Sequence, residues 1–410
     1  MFKKASRVFG SLWFHNIMHF LFSFSLVKFY AAEGRGIYAM LIAYASIFAT
    51  FLGLGLQNAA LFHHKHGSVA VRTSLWIYGV QGIVGTFLVL WVGHMLGLLD
   101  RLISYAGFTG DVLNSQTYLL ISTLFVLNAY FNLFIRTILL GIHDTRSFRN
   151  FIILPITAVT AFMVITNGFM NVSLGLLIVL HAGIETLFNV YFSIRLIRLP
   201  PADNETTLGT RVGMLYRYGM QNYISIIANS LFVRLDTIIT GSYISVAGAG
   251  YYAVAKYFYN ALMSVPQSIG GMLFGSFSEN TDKKALLHRS MRGVFFSMAA
   301  VVLIILIFGP FMVRLLFGQE FIASVPVLIL LSFAALLLGT SNPIQAYLLG
   351  RGFPAHNSIV SMLSGGVKIL LLFLLVKAWG FNGVGFAMLF GGFTVLAFRT
   401  IAVGMLWQRT

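Results

Sequence analysis

The stretch SLFVRLDTIITGSY, residues 230–243, places two charged side chains inside an apolar run. With the apolar residues before it, this run is long enough to lie in a bilayer, where a charge costs roughly 2.5–3.5 kcal/mol on insertion scales. Arg234 and Asp236 are two positions apart, so a helix turns them to different sides and they do not pair with each other. The stretch therefore predicts a membrane helix whose charged side chains meet partners on other helices.

Similar apolar runs fill the rest of the chain. Of its 410 residues, 58% are hydrophobic and only 9% are charged, a composition that no water-soluble domain shows. Each run can cross about 30 Å of hydrocarbon as a helix. The sequence therefore predicts an all-α polytopic membrane protein with twelve transmembrane helices and short loops. The spans are 10–31, 36–61, 75–99, 117–140, 150–168, 171–196, 218–241, 247–275, 293–316, 325–350, 355–378 and 382–406.

The distribution of basic residues predicts the orientation. The formal net charge of +16 would indicate nucleic-acid binding in a soluble protein. Here most lysines and arginines share one side of the membrane with the two termini, and only Arg35, Arg101, Arg314 and Lys377 fall on the other. By the positive-inside rule both termini are cytoplasmic, and no nucleic-acid partner is needed. The absence of cysteine excludes disulfides and thiolate metal sites.

Three short motifs occur twice, in the same order and about 209–214 residues apart. The pairs are GRGIYA (34–39) with GAGYYAVA (248–255), LLGIHDTRSFRN (139–150) with LLGRGFPAHNSI (348–359), and NGFMNVSLG (167–175) with WGFNGVG (379–385). They indicate two parallel six-helix repeats, because six spans return the chain to its starting side. The predicted lobes are 1–200 and 218–410, joined by a polar cytoplasmic linker at 201–217.

Polar residues recur at helical spacing within several spans. The stripes are Asn222, Ser225, Asn229, Asp236 and Thr240 in span seven; Asn128, Asn132 and Arg136 in span four; His181, Glu185 and Asn189 in span six; Lys256, Asn260, Ser264 and Gln267 in span eight; and His15, Asn16, His19 and Ser23 in span one. Helices in lipid hide such faces against protein or water. A water-filled cavity satisfies all five stripes, whereas hydrogen bonds between packed helices are the alternative for any single one.

Positive charge outnumbers negative among the buried candidates. Arg234, Asp236 and Lys256 lie in the outer half of the second lobe, and Glu185 lies near mid-membrane. An excess of basic groups suits an anionic substrate such as a pyrophosphate, which arginine can hold with two hydrogen bonds. Lys28 is close enough to the end of its span to reach the interface.

The sequence lacks the motifs that are typical of several other activities. The run HHKH (63–66) has no nearby thiol or carboxylate and is interpreted as a solvated loop without a metal. No phosphate-binding GxxxxGK[ST] motif occurs, so ATP hydrolysis by this chain is not expected to be the direct energy source for transport. The external Asp100 and Asp111 are too far apart in sequence for the clustered carboxylates of a metal-dependent glycosyltransferase.

Two segments carry a family resemblance. Residues 234–279 resemble the second-lobe signature of bacterial polysaccharide exporters, the O-antigen and capsule repeat-unit flippases of the MOP superfamily, and residues 33–61 resemble the matching first-lobe segment. The resemblance implies a MATE-like, V-shaped transporter of two six-helix lobes in the inner membrane. It implies that an undecaprenyl-pyrophosphate-linked oligosaccharide moves from the cytoplasmic to the periplasmic leaflet.

The resemblance implies that basic residues facing a central cavity bind the pyrophosphate, and the polar stripes and the carboxylates within spans supply the other candidates. The pyrophosphate-binding candidates are Arg234 and Lys256, followed by Arg136 and Lys28. The candidates for hydrogen bonds to sugar hydroxyls are Asn128, Asn132, Asn229 and Asn260. The candidates for coupling to H⁺ or Na⁺ are Asp236, Glu185 and His181. No catalytic residue, cofactor or metal is expected, while membrane lipids and other polysaccharide-assembly proteins are expected partners.

Two further functions stay open. An ion-coupled multidrug or metabolite exporter of the same superfamily would often carry a carboxylate in span one, where this chain has Asn, Ser, His and Lys instead. A membrane polymerase or ligase acting on lipid-linked sugars would need a large external loop, and the longest one here, 100–116, is short. Peptidoglycan-precursor flippases usually have two additional helices.

Overall fold

The structure, a computed structural model, describes residues 2–65, 68–95, 115–142, 144–169, 172–199, 207–279, 283–351 and 353–407. Within these ranges the chain is helical and contains no strand. The helices are α1 (Phe2–Gly53), α2 (Leu56–Lys65), α3 (Val71–Met95), α4 (Ser115–Gly141), α5 (Thr145–Phe169), α6 (Leu174–Ile197), α7 (Leu208–Tyr243), α8 (Val246–Glu279), α9 (Lys283–Phe317), α10 (Val325–Gly350) and α11 (Pro354–Trp407), with a 3₁₀ helix at Gln319–Ser324.

The predicted all-α membrane fold is confirmed, and described helices cover most of each of the twelve predicted spans. Span two continues across the turn at 54–55 into α2, and residues 96–99 of span three lie outside the described residues. Seven helical stretches of the described residues are long and apolar enough to cross a membrane. Two of them, Trp13–Gly53 in α1 and His356–Trp407 in α11, each contain two predicted spans. Within the described residues, α3, α7 and α8 do not supply any of these seven stretches.

Helix α1 reverses its direction at Ala31. That residue has φ 53° and ψ −165°, a conformation costly for any residue other than glycine. The Arg35 guanidinium donates from Nε to Ser23 Oγ at 3.1 Å, and the rings of Phe22 and Tyr38 are 5.1 Å apart. In a straight helix Ser23 and Arg35 would be about 18 Å apart. The two halves of α1 therefore lie side by side as spans one and two.

Helix α11 also reverses its direction, at Gly380, which has φ 55° and ψ −131°. A Cβ built on Gly391 would lie 3.0 Å from Cγ of Lys368, which belongs to the other half of the same helix. Glycine tolerates the positive φ that the reversal requires. Spans eleven and twelve are therefore also adjacent, and the close approach at Gly391 matters for the candidate site.

By internal contacts the chain divides into two compact units, Met1–Arg234 and Leu235–Thr410. This division falls inside α7. The lobe boundaries predicted at the 201–217 linker stay a prediction, and residues 201–206 of that linker lie outside the described residues.

The beginning of α7 packs within the first unit. The Tyr223 hydroxyl donates to the backbone oxygen of Phe51 at 2.6 Å. Gly55, at φ +73°, lies directly against the backbone oxygen of Gly219, so that a side chain at either glycine would collide with the facing backbone. Close backbone contact, made possible by two glycines, fixes this part of α7 against the end of α1.

An aromatic pair forms the centre of the first unit's core. Tyr78 of α3 and Tyr130 of α4 are fully buried and stack at 3.9 Å between ring centroids. Each hydroxyl donates to the other residue's backbone oxygen at 2.9 Å, so both polar atoms are satisfied inside an apolar cluster. In the second unit, the tight packing of α10 on α11 depends on Gly385 and Gly392, which lie against Leu330 and Ala334.

Candidate functional site

The charged residue that opened the sequence analysis lies at the centre of a polar cluster in the second unit. Asp236 of α7 accepts a hydrogen bond from Lys256 Nζ at 2.6 Å on Oδ1, and one from the Tyr252 hydroxyl at 2.8 Å on Oδ2. Oδ1 also accepts from the backbone N–H of Thr237 at 2.7 Å. Lys368 Nζ lies 3.7 Å from Oδ2. We call Asp236, Lys256, Lys368, Tyr252 and Thr237 the charge cluster.

The charge cluster carries an excess of positive charge on its accessible side. Two ammonium groups face one carboxylate, which gives a formal charge of +1. The side chains of Lys256 and Lys368 keep 13% and 15% of their surface exposed, whereas Asp236 keeps 1%. The surface that the cluster still exposes therefore belongs to the two lysine side chains, and the carboxylate is covered. This arrangement favours an anion.

The structure joins two residues that the sequence assigned to different tasks. Lys256 was predicted to bind the substrate and Asp236 to couple an ion, but they form one short ion pair between α7 and α8. A carboxylate already neutralised by two lysines has little attraction for a free cation. Arg234, two residues earlier in the first unit, has a half-buried side chain.

Lys368 is the site residue that sequence reasoning missed. Its only signal was a single lysine within the apolar run of span eleven, which equally fits a residue near an interface. In the structure its aliphatic stem passes over Gly391, where a built Cβ would be 3.0 Å from Cγ and 3.2 Å from Cβ of the lysine. The glycine makes the space through which Lys368 reaches Asp236.

A second polar cluster lies in the first unit around His181. This histidine is 3% exposed, and its Nδ1 lies 2.8 Å from the Tyr38 hydroxyl while its Nε2 lies 3.4 Å from Glu185 Oε1. The rings of Phe22 and Phe125 enclose it at 5.7 and 5.6 Å. Both ring nitrogens face polar partners, so a change in His181 protonation must change the donor in at least one contact. His181 and Glu185, which the sequence placed on one polar stripe, are thus in contact on one face of α6.

Asn128 connects two helices of the first unit. Its side-chain amide donates to Ala182 O at 2.9 Å, and its Oδ1 accepts from Thr186 at 3.1 Å and from Asn189 at 3.0 Å. Only 3% of Asn128 is exposed. This is the interhelical hydrogen bonding that the sequence left open as the alternative to a cavity. The geometry assigns Asn128 to helix packing, because its side-chain amide and carbonyl already bond to α6 and are not available for the predicted contact with sugar hydroxyls.

The other candidates are scattered along the described helices. The side chains of Lys28, Arg136 and Asn260 are exposed and that of Asn132 is half-buried, while the side chain of Asn229 lies outside what the structure describes. Lys28 and Arg136 belong to the first unit, and Asn260 lies one turn after Lys256 on α8. Of these five, Asn260 is the one that the structure brings near the charge cluster along a helix.

A buried arginine joins two helices of the second unit. Arg399 of α11 donates to Ser341 Oγ and to Gln345 Oε1 of α10, both at 2.8 Å. The paired motifs align Arg399 with Asn189, which makes the equivalent contact to Asn128 in the first unit. The same pair of repeat helices is thus linked by a buried polar contact in each unit. Among the described residues, no group of three or more His, Cys, Asp or Glu could hold a metal.

Comparisons with known proteins agree with the fold and with the polysaccharide-exporter resemblance. The family described as "Polysaccharide biosynthesis protein" matches residues 189–326, which contain Asp236 and Lys256. An uncharacterised membrane protein of Methanocaldococcus jannaschii is 26% identical over 193 residues, a match that covers 45% of this chain and 38% of the relative. The chain thus matches well under half of that relative's length.

Two solved structures share the fold over nearly the whole chain. The lipid II flippase MurJ, in an inward closed conformation, superposes with a TM-score of 0.75 at 12% identity, covering 96% of this chain and 86% of that one. An inward-facing multidrug resistance MATE transporter superposes with a TM-score of 0.68 at 16% identity, covering 96% and 94%. At these identities the likeness establishes the fold. The chain is therefore a multi-pass membrane protein with the fold of the MOP superfamily, and its middle third matches the polysaccharide biosynthesis family that its sequence resembles.

Proposed function

We propose that this protein is a flippase for a polyprenyl-pyrophosphate-linked oligosaccharide. It carries the sugar and its pyrophosphate from the cytoplasmic to the periplasmic leaflet of the inner membrane by alternating access, with both termini in the cytoplasm. Undecaprenyl is the expected polyprenyl chain. The polyprenyl tail stays in the bilayer, and no covalent bond is made or broken. Proteins that build or export the polysaccharide are the proposed partners.

This proposal rests on one observation, the net positive charge of the charge cluster. The side chains of Lys256 and Lys368 are partly exposed, while the carboxylate of Asp236 is buried. Lysine and arginine are the usual partners of phosphate oxygens. Two ammonium groups against one carboxylate leave the site with a net positive charge, as a pyrophosphate ligand requires. A cationic drug would be repelled from the same surface.

Energy coupling is proposed for the first unit and not for the charge cluster. Asp236 is occupied by two lysines, whereas Glu185 meets a histidine that can take up or lose a proton. His181 and Glu185 are therefore the residues at which we place coupling, with the proton as the ion. Proton uptake at His181 is compatible with its two polar contacts, since the Tyr38 hydroxyl can donate to the neutral ring or accept from the charged one.

The test is flipping of a fluorescent polyprenyl-pyrophosphate oligosaccharide in proteoliposomes. We expect the wild type to move the probe, and Arg234→Ala and Lys256→Ala to lose most of this activity. Lys377→Gln is the control, because Lys377 is an exposed lysine of α11 that is not a member of the charge cluster. Wild-type flipping equal to that of empty liposomes, in protein shown to be folded, would overturn the proposal. Efflux of a cationic dye by the same vesicles would favour the drug exporter instead.

A further inference from the structure

We propose that His15 and His19 of α1 form a proton relay, which carries the coupling proton between His181 and the side of the membrane at which α1 begins. This inference rests on the proposed function, because it starts from the coupling proposed at His181 and Glu185. It adds the residues through which the proton reaches or leaves that site. Both relay residues lie on the polar stripe of span one, to which the proposed function gives no task.

The two rings of the relay lie close together. His15 and His19 are four residues apart, so they share one face of α1. Their ring centroids are 4.4 Å apart, and the rings meet edge to face at 80°. At this separation a proton can pass between the rings directly or through one water molecule. Histidine is also the side chain that most often takes up and gives up protons in proteins.

A backbone contact fixes the proton-accepting atom of His15. Its Nδ1 lies 2.7 Å from the backbone oxygen of Ile152 in α5. A carbonyl oxygen can only accept a hydrogen bond, so Nδ1 carries a hydrogen in both the neutral and the charged ring. The neutral ring therefore takes up the coupling proton at Nε2. Uptake and release at that atom leave the bond to α5 intact, so His15 can change its charge while it keeps its place.

His19 connects this pair to the coupling site. Phe22, three residues after His19 on α1, has its ring centroid 5.7 Å from that of His181 on α6. Residues three apart are neighbours on one side of a helix, so His19 lies on the side of α1 that meets His181. The two histidines are also close enough for their charges to interact. The relay therefore leads from His181 to His19 and, one helical turn nearer the beginning of α1, to His15.

The charges near His19 favour transfer over storage of a proton. The groups close enough to act on it, from α1, α4 and α6, are His15, Arg35, Arg136 and His181. Like charges on neighbouring rings repel, so the pair holds at most one proton, and the two arginines add to the repulsion. His181 differs because Glu185 Oε1 lies 3.4 Å from its Nε2 and stabilises the charged ring. The proton thus stays at His181 and only passes through the pair.

Each step of the relay moves one proton and forms no covalent intermediate. Charged His181 gives its proton to the unprotonated ring nitrogen of His19 and becomes neutral. His19 gives one proton to Nε2 of His15, and His15 releases it to water on the side of the membrane at which α1 begins. The same steps in reverse order load His181.

Proton flux in proteoliposomes tests the relay. A pH gradient is imposed on vesicles that contain a trapped pH-sensitive dye and lipid-linked oligosaccharide. We expect His15→Gln and His19→Gln each to lower proton flux about tenfold or more, as for loss of a positioned acid–base group. Exchange of labelled for unlabelled substrate needs no net proton movement and should stay near the wild-type rate. His63→Gln is the matched control, because His63 is half-buried and also contacts a backbone oxygen, that of Met214, at 3.3 Å.

A titratable replacement separates the relay from a packing role. Glutamate and glutamine have nearly the same size, but only glutamate can carry a proton. His19→Glu should therefore keep several times more proton flux than His19→Gln, with both proteins shown to be folded by their melting temperatures. If His19 only filled space or donated a hydrogen bond, glutamine would serve at least as well as glutamate.

The outcomes distinguish the relay from the proposed function. Wild-type proton flux in both folded glutamine variants, equal flux in His19→Glu and His19→Gln, or an equal loss in His63→Gln overturns the relay. Wild-type flux in His181→Gln overturns the coupling at His181 and the relay with it. If the wild type does not exchange lipid-linked oligosaccharide, but its proton flux follows the expected order of variants, the flippase function fails while the relay stands.

Discussion

Lys256 Nζ lies 2.6 Å from Asp236 Oδ1, although the two residues are 20 positions apart and belong to different helices. A short ion pair between helices does two things in a membrane protein. It makes two charges tolerable at a depth where each would be costly alone, and it fixes the rotation of α7 relative to α8. The second lysine, Lys368, adds the charge that gives the site its sign.

Removal of the carboxylate should destabilise the second unit. In Asp236→Ala, two partly buried ammonium groups lose their partner, and we expect the free energy of unfolding to fall by about 3–5 kcal/mol. Thermal unfolding in detergent, followed by intrinsic fluorescence, measures the change. Asp236→Asn combined with Lys256→Gln should recover most of the loss, because one charge of each sign is removed. Equal melting temperatures for Asp236→Ala and wild type would contradict the role of the ion pair.

The Tyr38 hydroxyl should support both the stability and the pH response of the first unit. Tyr38→Phe leaves Nδ1 of His181 buried without its partner at 2.8 Å, at a cost of about 1–3 kcal/mol. It also removes the group that can accept a hydrogen bond from the charged ring, so the dependence of transport on pH should shift. Flipping rates measured from pH 5 to pH 8 test the second point. If Tyr38→Phe lowers the melting temperature but leaves the pH dependence of flipping unchanged, Tyr38 contributes to packing and not to the pH response.

Asn128 should behave as an anchor between α4 and α6. Asn128→Leu leaves the polar groups of Thr186 and Asn189 without their shared acceptor, and we expect a loss of about 1–3 kcal/mol in the free energy of unfolding. Below the melting temperature, folded protein should keep the substrate affinity of the wild type. Asn132→Leu, at a half-buried position of the same helix, is the matched control for the stability measurement. Weaker substrate binding in fully folded Asn128→Leu would return Asn128 to the site.

Asp144 should make stability depend on pH at the loop before α5. Its Oδ1 accepts from the backbone N–H of Ser147 at 3.0 Å, and its Oδ2 accepts from Arg195 at 3.1 Å. Partial burial raises the pKa of Asp144, but the hydrogen bonds from Ser147 and the charge of Arg195 outweigh this and hold the pKa below its ordinary value. The stabilisation is therefore complete above the ordinary aspartate pKa, about 4, and is lost as the pH falls through the lower folded value.

Two substitutions separate the contributions of Asp144. Asp144→Asn keeps a helix-capping side chain but loses the charge, so its melting temperature should lack the acid-dependent step. Asp144→Ala loses the cap as well and should cost about 1 kcal/mol at neutral pH. Melting curves between pH 3 and pH 7 provide the measurement. If the melting temperature of Asp144→Asn falls at low pH as much as that of the wild type, a group other than Asp144 causes the pH dependence.

The membrane fold was predictable because it depends on a local property of the chain. A run of apolar residues long enough to span the hydrocarbon must form a helix that satisfies its own backbone, whatever its neighbours are. The span limits predicted from hydropathy left short joins at 32–35 and 379–381, close to the reversals that the structure has at Ala31 and Gly380. The pairing of His181 with Glu185 was also visible, since residues four apart share one face of a helix.

Helical spacing gave weaker guidance on what each polar stripe faces. Asn128 and Asn189 lie on predicted polar faces, yet those faces meet each other and form hydrogen bonds between helices. A periodicity of 3.6 residues shows which side of a helix is polar, but it does not show whether that side meets water, a ligand or another helix. Lys368 was missed for a related reason, because a single lysine in an apolar run has no periodic pattern to assign it to a face.

The sequence by itself determined the number and order of the spans, the repeat and the excess of buried positive charge. These features follow from the composition of the chain and from the spacing of residues along it. The tertiary structure alone decided that Lys256, Lys368 and Tyr252 converge on Asp236, and that Gly391 opens the path for Lys368. Those contacts depend on how α7, α8 and α11 are rotated and shifted against one another. Packing of whole helix surfaces sets these rotations and shifts, and no short segment contains that information.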